Sequence, residues 1–257
     1  MIRVKKSLGQ HWLRSKTILA EMVKAGEAKA GDVILEVGPG QGSLTEALLA
    51  TGARVIAVEK DDRLIDSLQA KFASEISHSQ LVLIRQDILE FNFLTNELKA
   101  GGYKIVANLP YYLTGQFLRR VLTSTRPPSL MVLLLQKEVA ERIVAKNKKE
   151  SLLSISVKTA GTPKYIKTVP KKYFLPPPKV DSAILKVNNI SKNFFTDISQ
   201  TKFFALVKKG FAQKRKMLKG NLNCPLAVLN KCGIAEKARA EELSLGEWKC
   251  LMQNDKK

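Results

Sequence analysis

The stretch Val33-Ile34-Leu35-Glu36-Val37-Gly38-Pro39-Gly40-Gln41-Gly42-Ser43-Leu44-Thr45-Glu46-Ala47-Leu48-Leu49 decides the fold class of this chain. Its first five residues are a short apolar run of strand type, and residues 43–49 have helical spacing. Between them the glycines let the backbone turn tightly and come close to a ligand that a Cβ would block. Strand, glycine turn and helix in that order open an α/β unit. The spacing G-x-G-x-G is not that of a dinucleotide fingerprint, and no Gly-Lys-Ser/Thr follows to make a phosphate-binding loop.

Outward from this unit the same grammar repeats. Arg54-Val55-Ile56-Ala57-Val58 is a second strand ending in Glu59, about twenty residues on, where a carboxylate would accept both hydroxyls of a ribose. Leu81-Val82-Leu83-Ile84-Arg85 is a third, followed by Gln86-Asp87-Ile88, and Asp87 there could take the exocyclic amine of an adenine. Together these residues describe an adenosine carrying a small apolar tail and no phosphate, which is S-adenosylmethionine.

The run Tyr103-Lys104-Ile105-Val106-Ala107 leads into Asn108-Leu109-Pro110-Tyr111. An acid amide, a proline and an aromatic at a strand's C-terminal edge, where open α/β sheets hold their ligands, make a pocket for a flat amino-bearing base. The other reading is an ordinary proline-containing turn. In the base-pocket reading the Asn108 side-chain oxygen and the Leu109 carbonyl accept from the N–H groups of adenine N6. Pro110 then fixes the local φ, and Tyr111 stacks on the base. No general base is evident, so catalysis rests on alignment and electrostatics.

The chain has 257 residues, enough for one large α/β domain and a small appendage. Forty-three Lys and Arg against 23 Asp and Glu give a formal charge of +20, the footprint of a nucleic-acid binder rather than of an enzyme acting on small molecules. Lys208, Lys209, Lys214, Arg215, Lys216 and Lys219 form a basic stretch free of acids, read as phosphate contacts or, alternatively, as a solvated helix face. The longest apolar stretch, Leu130-Met131-Val132-Leu133-Leu134-Leu135, is too short to span a bilayer and reads as a central strand. No membrane anchor or signal peptide is expected. Cys224, Cys232 and Cys250 are odd in number without C-x-x-C spacing, and there are two His, so neither a disulfide framework nor a zinc site is indicated, and no metal is expected. This places the chain in a reducing cytoplasm.

Strands and helices alternate to about Gln136, the pattern of a doubly wound, mainly parallel sheet. Tyr165-Ile166-Lys167-Thr168-Val169 and Ala183-Ile184-Leu185-Lys186-Val187 read as a closing hairpin. Residues 188–193 read as a linker, and helical patterns at 203–211 and 245–252 read as a small helical domain. The expected domains are 1–187 and 188–257.

On these residues the chain resembles the small-subunit ribosomal RNA adenine dimethyltransferases of the KsgA type, whose nearest relatives are the Erm methyltransferases. The resemblance runs from Lys5 to Leu251. It is carried by Ser7-Leu8-Gly9-Gln10-His11-Trp12-Leu13, the turn at 36–42, Gln86-Asp87 and Asn108-Leu109-Pro110-Tyr111. Further on come Phe174-Leu175-Pro176-Pro177-Pro178-Lys179-Val180-Asp181-Ser182 and Phe211-Ala212-Gln213-Lys214-Arg215-Lys216. The family usually has Phe where Leu8 and Trp12 stand, often Asn at His11, and commonly Arg at Lys214; His11 is read as a neutral hydrogen-bonding residue.

The resemblance implies an α/β fold: a Rossmann-like class I methyltransferase sheet of seven strands, mainly parallel with the last antiparallel, and a small all-α C-terminal domain. It implies dimethylation of N6 on two adjacent adenines in the 3′-terminal hairpin of 16S rRNA, within an immature small ribosomal subunit. Nothing in the sequence suggests an obligate dimer, and a monomer is expected. S-adenosylmethionine would be held by Gln10, His11, Leu13, Gly38, Gly40, Glu59, Lys60, Asp87, Ile88 and Asn108. Phe174 would face the base opposite Tyr111, or else be a core aromatic. Lys5 and Lys6 would contact RNA at the mouth of the site. An Erm-like enzyme acting on large-subunit rRNA is disfavoured by Leu109, commonly Ile in Erm proteins, and by Arg239-Ala240-Glu241-Glu242-Leu243-Ser244. The remaining readings are an assembly factor with dispensable catalysis, and a DNA adenine methyltransferase, which usually carries Pro-Pro where this chain has Leu-Pro.

Overall fold

A computed structural model of the chain describes residues 9–95 and 98–254; Lys5 and Lys6 lie outside them. The chain divides into two compact units. The first takes the chain up to Ala140 together with Pro163–Ile190, and the second takes Glu141–Thr162 and the chain from Ser191 onward.

The first unit begins with β1 (Trp12–Leu13) and α1 (Lys16–Ala25). Ser15 caps α1, its hydroxyl accepting from the Ile18 N–H, and the helix buries Ile18, Leu19 and Met22 on one face. Then follow β2 (Val33–Val37), α2 (Ser43–Leu49), β3 (Arg54–Glu59), α3 (Asp62–Lys71), α4 (Ala73–Ser77), β4 (Leu81–Arg85), β5 (Lys104–Asn108), α5 (Thr114–Thr123) and β6 (Leu130–Gln136). After α6 (Lys137–Val144) and α7 (Leu152–Lys158) the chain returns as β7 (Thr162–Val169), β8 (Phe174–Leu175) and β9 (Ser182–Asn188).

The seven-stranded sheet has the order β4-β3-β2-β5-β6-β9-β7. Strands β2 to β6 pair in parallel, and β9 runs antiparallel to β6 with Met131 opposite Val187. The residues Leu130 to Leu135 of β6 are all buried, as expected of a central strand covered on both faces. The chain winds outward from β2 to β4 and then returns to β5 on the other side of β2, so the strand order reverses there. That switch point opens a crevice at the carboxyl ends of the strands. Strand β9 inserts between β6 and β7, so the two late strands close the sheet as neighbours. Separately, β1 and β8 form a two-stranded antiparallel sheet that places Leu13 opposite Phe174.

The second unit contains α8 (Gln200–Gly210), α9 (Leu218–Leu222), α10 (Leu226–Lys231) and α11 (Leu245–Asn254). Its core gathers Phe203, Val207, Leu218, Leu222, Leu229, Trp248 and Leu251, and Ile155 of α7 is buried among them. The domain boundary expected at 188 therefore needs correction. Residues 141–162 belong with the helical unit because α7 buries its apolar face there, and the Ser191 N–H donates to the Ala160 carbonyl at 2.8 Å. The cysteine reading is also corrected, since Cys232 and Cys250 form a disulfide with Cα atoms 5.7 Å apart. They stand 18 residues apart in sequence, and the packing of α10 and α11 in one core brings them together. Spacing rules for local motifs do not detect such a pair. Among the described residues no helix is long and apolar enough to cross a membrane.

The glycine turn after β2 is held by close packing. Gly42 has φ +77°, and a Cβ on it would stand 2.5 Å from Cε2 of Phe72. Gly42→Ala is expected to lower stability by about 2–4 kcal/mol through backbone strain and overpacking, read from the urea unfolding midpoint. An unchanged midpoint would mean that the turn relaxes without cost.

Candidate active site

A cavity of about 740 Å³ occupies the crevice at the strand ends. Four segments of the sheet form its floor and walls: Gly38 and Gly40 after β2, Glu59 and Lys60 at β3, Gln86 to Ile88 after β4, and Asn108 to Leu113 after β5. Residues 9–12, Val37 and Val58 complete the lining. Of the cofactor contacts expected from sequence, Gln10, His11, Gly38, Gly40, Glu59, Lys60, Asp87, Ile88 and Asn108 all line this cavity. Leu13 does not. It borders a smaller cavity of about 360 Å³, whose walls share Trp12, Gly38, Gly40 and Asn108 with the larger one.

Glu59 is buried and densely bonded. Its Oε1 accepts from the Lys60 and Asp61 N–H groups at 2.9 and 2.8 Å, and its Oε2 accepts from the Gly40 N–H at 3.2 Å. Burial raises its pKa above the ordinary carboxylate value, and these three N–H donors oppose the rise. A carboxylate offers about four lone-pair sites. Three are occupied, so a ribose diol would meet one open position on Oε2 and would compete with the Gly40 bond, the longest of the three.

Asp87 lies at the far side of the same wall. Its Oδ2 accepts from Lys60 Nζ at 2.6 Å and its Oδ1 from the Leu89 N–H at 2.9 Å. Burial pushes its pKa up, but Lys60 and the Leu89 N–H outweigh it and the carboxyl stays below the ordinary value. Behind Glu59, Asp61 takes Arg63 Nε at 2.8 Å and Gln10 Nε2 at 2.8 Å. The Arg63 guanidinium draws its pKa down to about 2.

The tetrapeptide at the end of β5 is tied on every side. Asn108 donates from Nδ2 to the His11 carbonyl at 3.1 Å, which leaves Oδ1 as the atom able to accept. The Leu109 N–H donates to the Leu134 carbonyl at 3.1 Å, and Pro110 has φ −54°. The Tyr111 hydroxyl bonds the Ser182 hydroxyl at 2.7 Å, and its ring stacks on the His11 ring at 5.8 Å. His11 donates from Nδ1 to the Pro176 carbonyl at 2.8 Å, a carbonyl being able only to accept. It is thus a hydrogen-bonding residue of the cavity wall.

Phe174 is corrected. It does not line the cavity but is buried in the main core with Leu13 and Val169. The pairing of β8 with β1 turns it inward, so it is the core aromatic of the two sequence readings. Two residues went unassigned in the sequence. Tyr112 lines the cavity at 54% exposed, packed against Gly9; its place directly after Tyr111 was the available signal. Glu36 is 1% exposed inside β2; a charged residue within an otherwise apolar central strand was the signal there. Among the described residues, no group of three or more His, Cys, Asp or Glu is placed to hold a metal ion.

The basic stretch lies in the second unit. Lys208 and Lys209 are exposed near the end of α8, and Lys214, Arg215 and Lys216 are exposed on the loop before α9. Lys209 donates to the Leu222 carbonyl, and Lys219 pairs with Glu236 at 2.8 Å.

Residues 1–254 match the family described as ribosomal RNA adenine dimethylase. Ribosomal RNA small subunit methyltransferase A of Dehalococcoides mccartyi is 41% identical to this chain over 262 residues, covering 97% of this chain and 88% of its own. The protein of that name from Thermosynechococcus vestitus is 38% identical over 267 residues, covering 98% and 97%. Among solved structures, a dimethyladenosine transferase from Plasmodium falciparum has a TM-score of 0.82 at 26% identity, covering 95% of this chain and 96% of its own. The 23S rRNA methyltransferase ErmE shares the fold, with a TM-score of 0.78 at 21% identity over 94% and 98%.

Glu36 gives the site a pH signature. Burial, partly offset by Thr45, pushes its carboxyl up to about 8 from 4.5. With the folded pKa above the unfolded one, the stabilisation of the neutral form is complete below the unfolded value and is lost as pH rises through 8. Wild type should therefore lose up to about 1.4 kcal/mol per pH unit between roughly pH 5 and 8 from this group. Glu36→Gln should lack that slope. Parallel slopes for the two proteins in thermal melts across this range would show that Glu36 does not titrate there.

Proposed function

The chain belongs to the ribosomal RNA adenine dimethylase family, and from that premise we propose that it places two methyl groups on N6 of each of two adjacent adenines in the 3′-terminal hairpin of 16S rRNA. In this reading it acts as a monomer in the cytoplasm on an immature small ribosomal subunit. The methyl donor is S-adenosylmethionine, which when bound supplies a methyl group on an electrophilic sulfonium.

The cavity fits that molecule. Carboxylates stand at the ends of β3 and β4 to accept from hydroxyl and amine groups, and no cluster of cations is present for a phosphate chain. Lys60 is the one Lys or Arg among the described residues lining it, and it is paired with Asp87.

The observation that carries the proposal is the orientation of Asn108. With Nδ2 committed to the His11 carbonyl, the oxygen of the amide faces an incoming amino group. The lone pair of adenine N6 is delocalised into the ring, so attack requires that nitrogen to become more tetrahedral. Asn108 Oδ1 and the Leu109 carbonyl would accept from its two N–H groups and stabilise the positive charge that develops. Neither acceptor has to reorganise, because the His11 and Leu134 carbonyls hold them in place. The base stacks on the face of Tyr111 turned away from His11, and the Ser182 hydroxyl keeps that ring from rotating. After methyl transfer N6 loses its proton readily to water, so no side chain has to serve as a base. A singly methylated nitrogen retains one N–H, and the second transfer proceeds with one acceptor engaged. Lys208, Lys209, Lys214, Arg215 and Lys216 supply phosphate contacts that position the RNA without reading its sequence.

Methyl transfer from labelled S-adenosylmethionine to undermethylated ribosomal subunits, followed by nucleoside mass spectrometry, tests this. N6,N6-dimethyladenosine in small-subunit RNA alone is expected; the product in large-subunit RNA would refute the substrate assignment. Asn108→Ala should lower the rate about 10²–10³-fold with RNA binding nearly intact, and equal losses of both would remove its assigned role. Replacing Arg215 and Lys216 by Ala should flatten the dependence of log K on log salt by about 1–2. An unchanged slope would exclude both from the RNA interface.

A further inference from the structure

The disulfide of the second unit joins Cys232, the C-terminal cap of α10, to Cys250 within α11. The stretch of chain that it closes into a loop also seats the basic residues of that unit. On one side of them, Phe211 stacks on Trp248 with ring centroids 5.9 Å apart. Gly210, the last residue of α8, packs so closely on the same indole that a Cβ there would collide with it. On the other side, the Leu218 N–H donates to the Ala238 carbonyl at 2.8 Å, and Lys219 Nζ pairs with Glu236 at 2.8 Å. Trp248, Ala238 and Glu236 all lie between the two cysteines in the chain. Lys214, Arg215 and Lys216 are thus carried on a short loop with both ends fastened to residues 232–250. Asn221 Nδ2, donating to the Gly210 and Gln213 carbonyls, braces that loop from α9 independently of the disulfide.

Both cysteines are partly exposed, within reach of a small thiol. In the cytoplasm, where the proposed function places the chain, disulfides are mostly transient or redox-sensing rather than structural. We propose that Cys232 and Cys250 form a reversible thiol–disulfide site that sets the affinity of the basic loop for RNA, the oxidised form binding more tightly. A dithiol is the reductant. Its thiolate attacks Cys232 Sγ, the S–S bond breaks, and the second thiol of the reagent resolves the mixed disulfide. The reagent ends as a cyclic disulfide, and its two protons pass to the two cysteines. Asn254 Nδ2 donates to Cys250 Sγ at 3.6 Å, which favours Cys250 as the leaving thiolate and directs attack to Cys232. A low-molecular-weight disulfide reverses the step by the same exchange. Reduction leaves every cation in place and returns freedom to residues 232–250, so the loop loses preorganisation but not charge. This site deepens the reading in which the basic stretch contacts RNA, and rests on it.

The test uses the full chain with Cys224→Ser, which removes the third thiol, after treatment with oxidised glutathione or with dithiothreitol. Alkylation and mass spectrometry should find Cys232 and Cys250 blocked in the first sample and modified in the second. Hydrogen exchange at Leu218 and Lys219 should be up to about a hundredfold faster after reduction. Affinity for undermethylated small ribosomal subunits should fall about three- to tenfold, with the slope of log K on log salt unchanged because the cations remain. Adding Cys232→Ser and Cys250→Ser should reproduce the reduced protein and abolish the response to dithiothreitol. Equal affinity in the two redox states, a response to dithiothreitol that survives both substitutions, or two alkylated thiols after oxidation would each overturn the proposal. If the oxidised protein bound no subunits at all, the RNA reading of the basic stretch would fall and this inference with it.

Discussion

Parallel register is the constraint on which the site depends. Val37 lies opposite Val58, Glu59 opposite Arg85 and Asn108 opposite Leu134, so each chain leaves its strand at the same level and on the same side of the sheet. The hydrogen-bond ladder continues beyond the strands themselves. The Gly38 N–H reaches the Val58 carbonyl, the Gln86 N–H reaches Glu59, and the Leu109 N–H reaches Leu134, all at 2.9–3.1 Å. The first residue of each loop is thereby fixed by the neighbouring strand. Ordering a residue costs about 1–2 kcal/mol of backbone entropy, and here folding has met that cost before any ligand arrives. Such preorganisation is what an electrostatic mechanism without a general base requires.

The segment at 9–13 works differently, because its contacts among the described residues come from distant parts of the sequence. Its contacts reach across the sequence: Gln10 to Asp61, the His11 carbonyl to Asn108, the His11 ring to the Pro176 carbonyl, and β1 to β8. Asn108 belongs to two systems at once. The donor half of its amide holds this segment and the acceptor half is free for substrate, so a displacement of the segment would release the amide to rotate and present the wrong atom. Placement of the segment and the orientation of the Asn108 amide are thus linked through one hydrogen bond.

Much of this was legible in the sequence. The apolar runs at 33–37, 54–58 and 130–135 are strands of the sheet interior, buried almost throughout, and the run at 81–85 is the edge strand, with only Leu81 fully buried. Glycines in the turn and polar residues just beyond strands are likewise local signals, and Glu59, Asp87 and Asn108 line the cavity that the sequence assigned them. The failures are non-local. Phe174 follows a familiar order of residues, yet its direction depends on which face of β8 pairs with β1, and that strand lies far away in the chain. The second unit claims residues 141–162 because Ile155 finds its partners among helices that come later. Cys232 and Cys250 meet through helix packing that no spacing rule describes. Glu36 is a different case, in that its position in an apolar strand was visible but its burial without a full set of partners was not.

Charge is divided in a way that reconciles an acidic cavity with a strongly basic chain. The molecule carries +20 overall, which draws a polyanion from a distance, yet the ionisable groups around the cavity are mainly acids. Naked carboxylates there would repel the RNA phosphates nearest the target base. Each is covered instead: Glu59 by three backbone N–H groups, Asp87 by Lys60, Asp61 by Arg63 and Gln10. Donors this close leave little field beyond the first few ångströms, and salt screens the remainder over about 8–10 Å. The acids therefore act at hydrogen-bonding range on whatever occupies the cavity. In the proposed reading, Lys214, Arg215 and Lys216 of the second unit, all exposed, would act on a polyanion over the longer range.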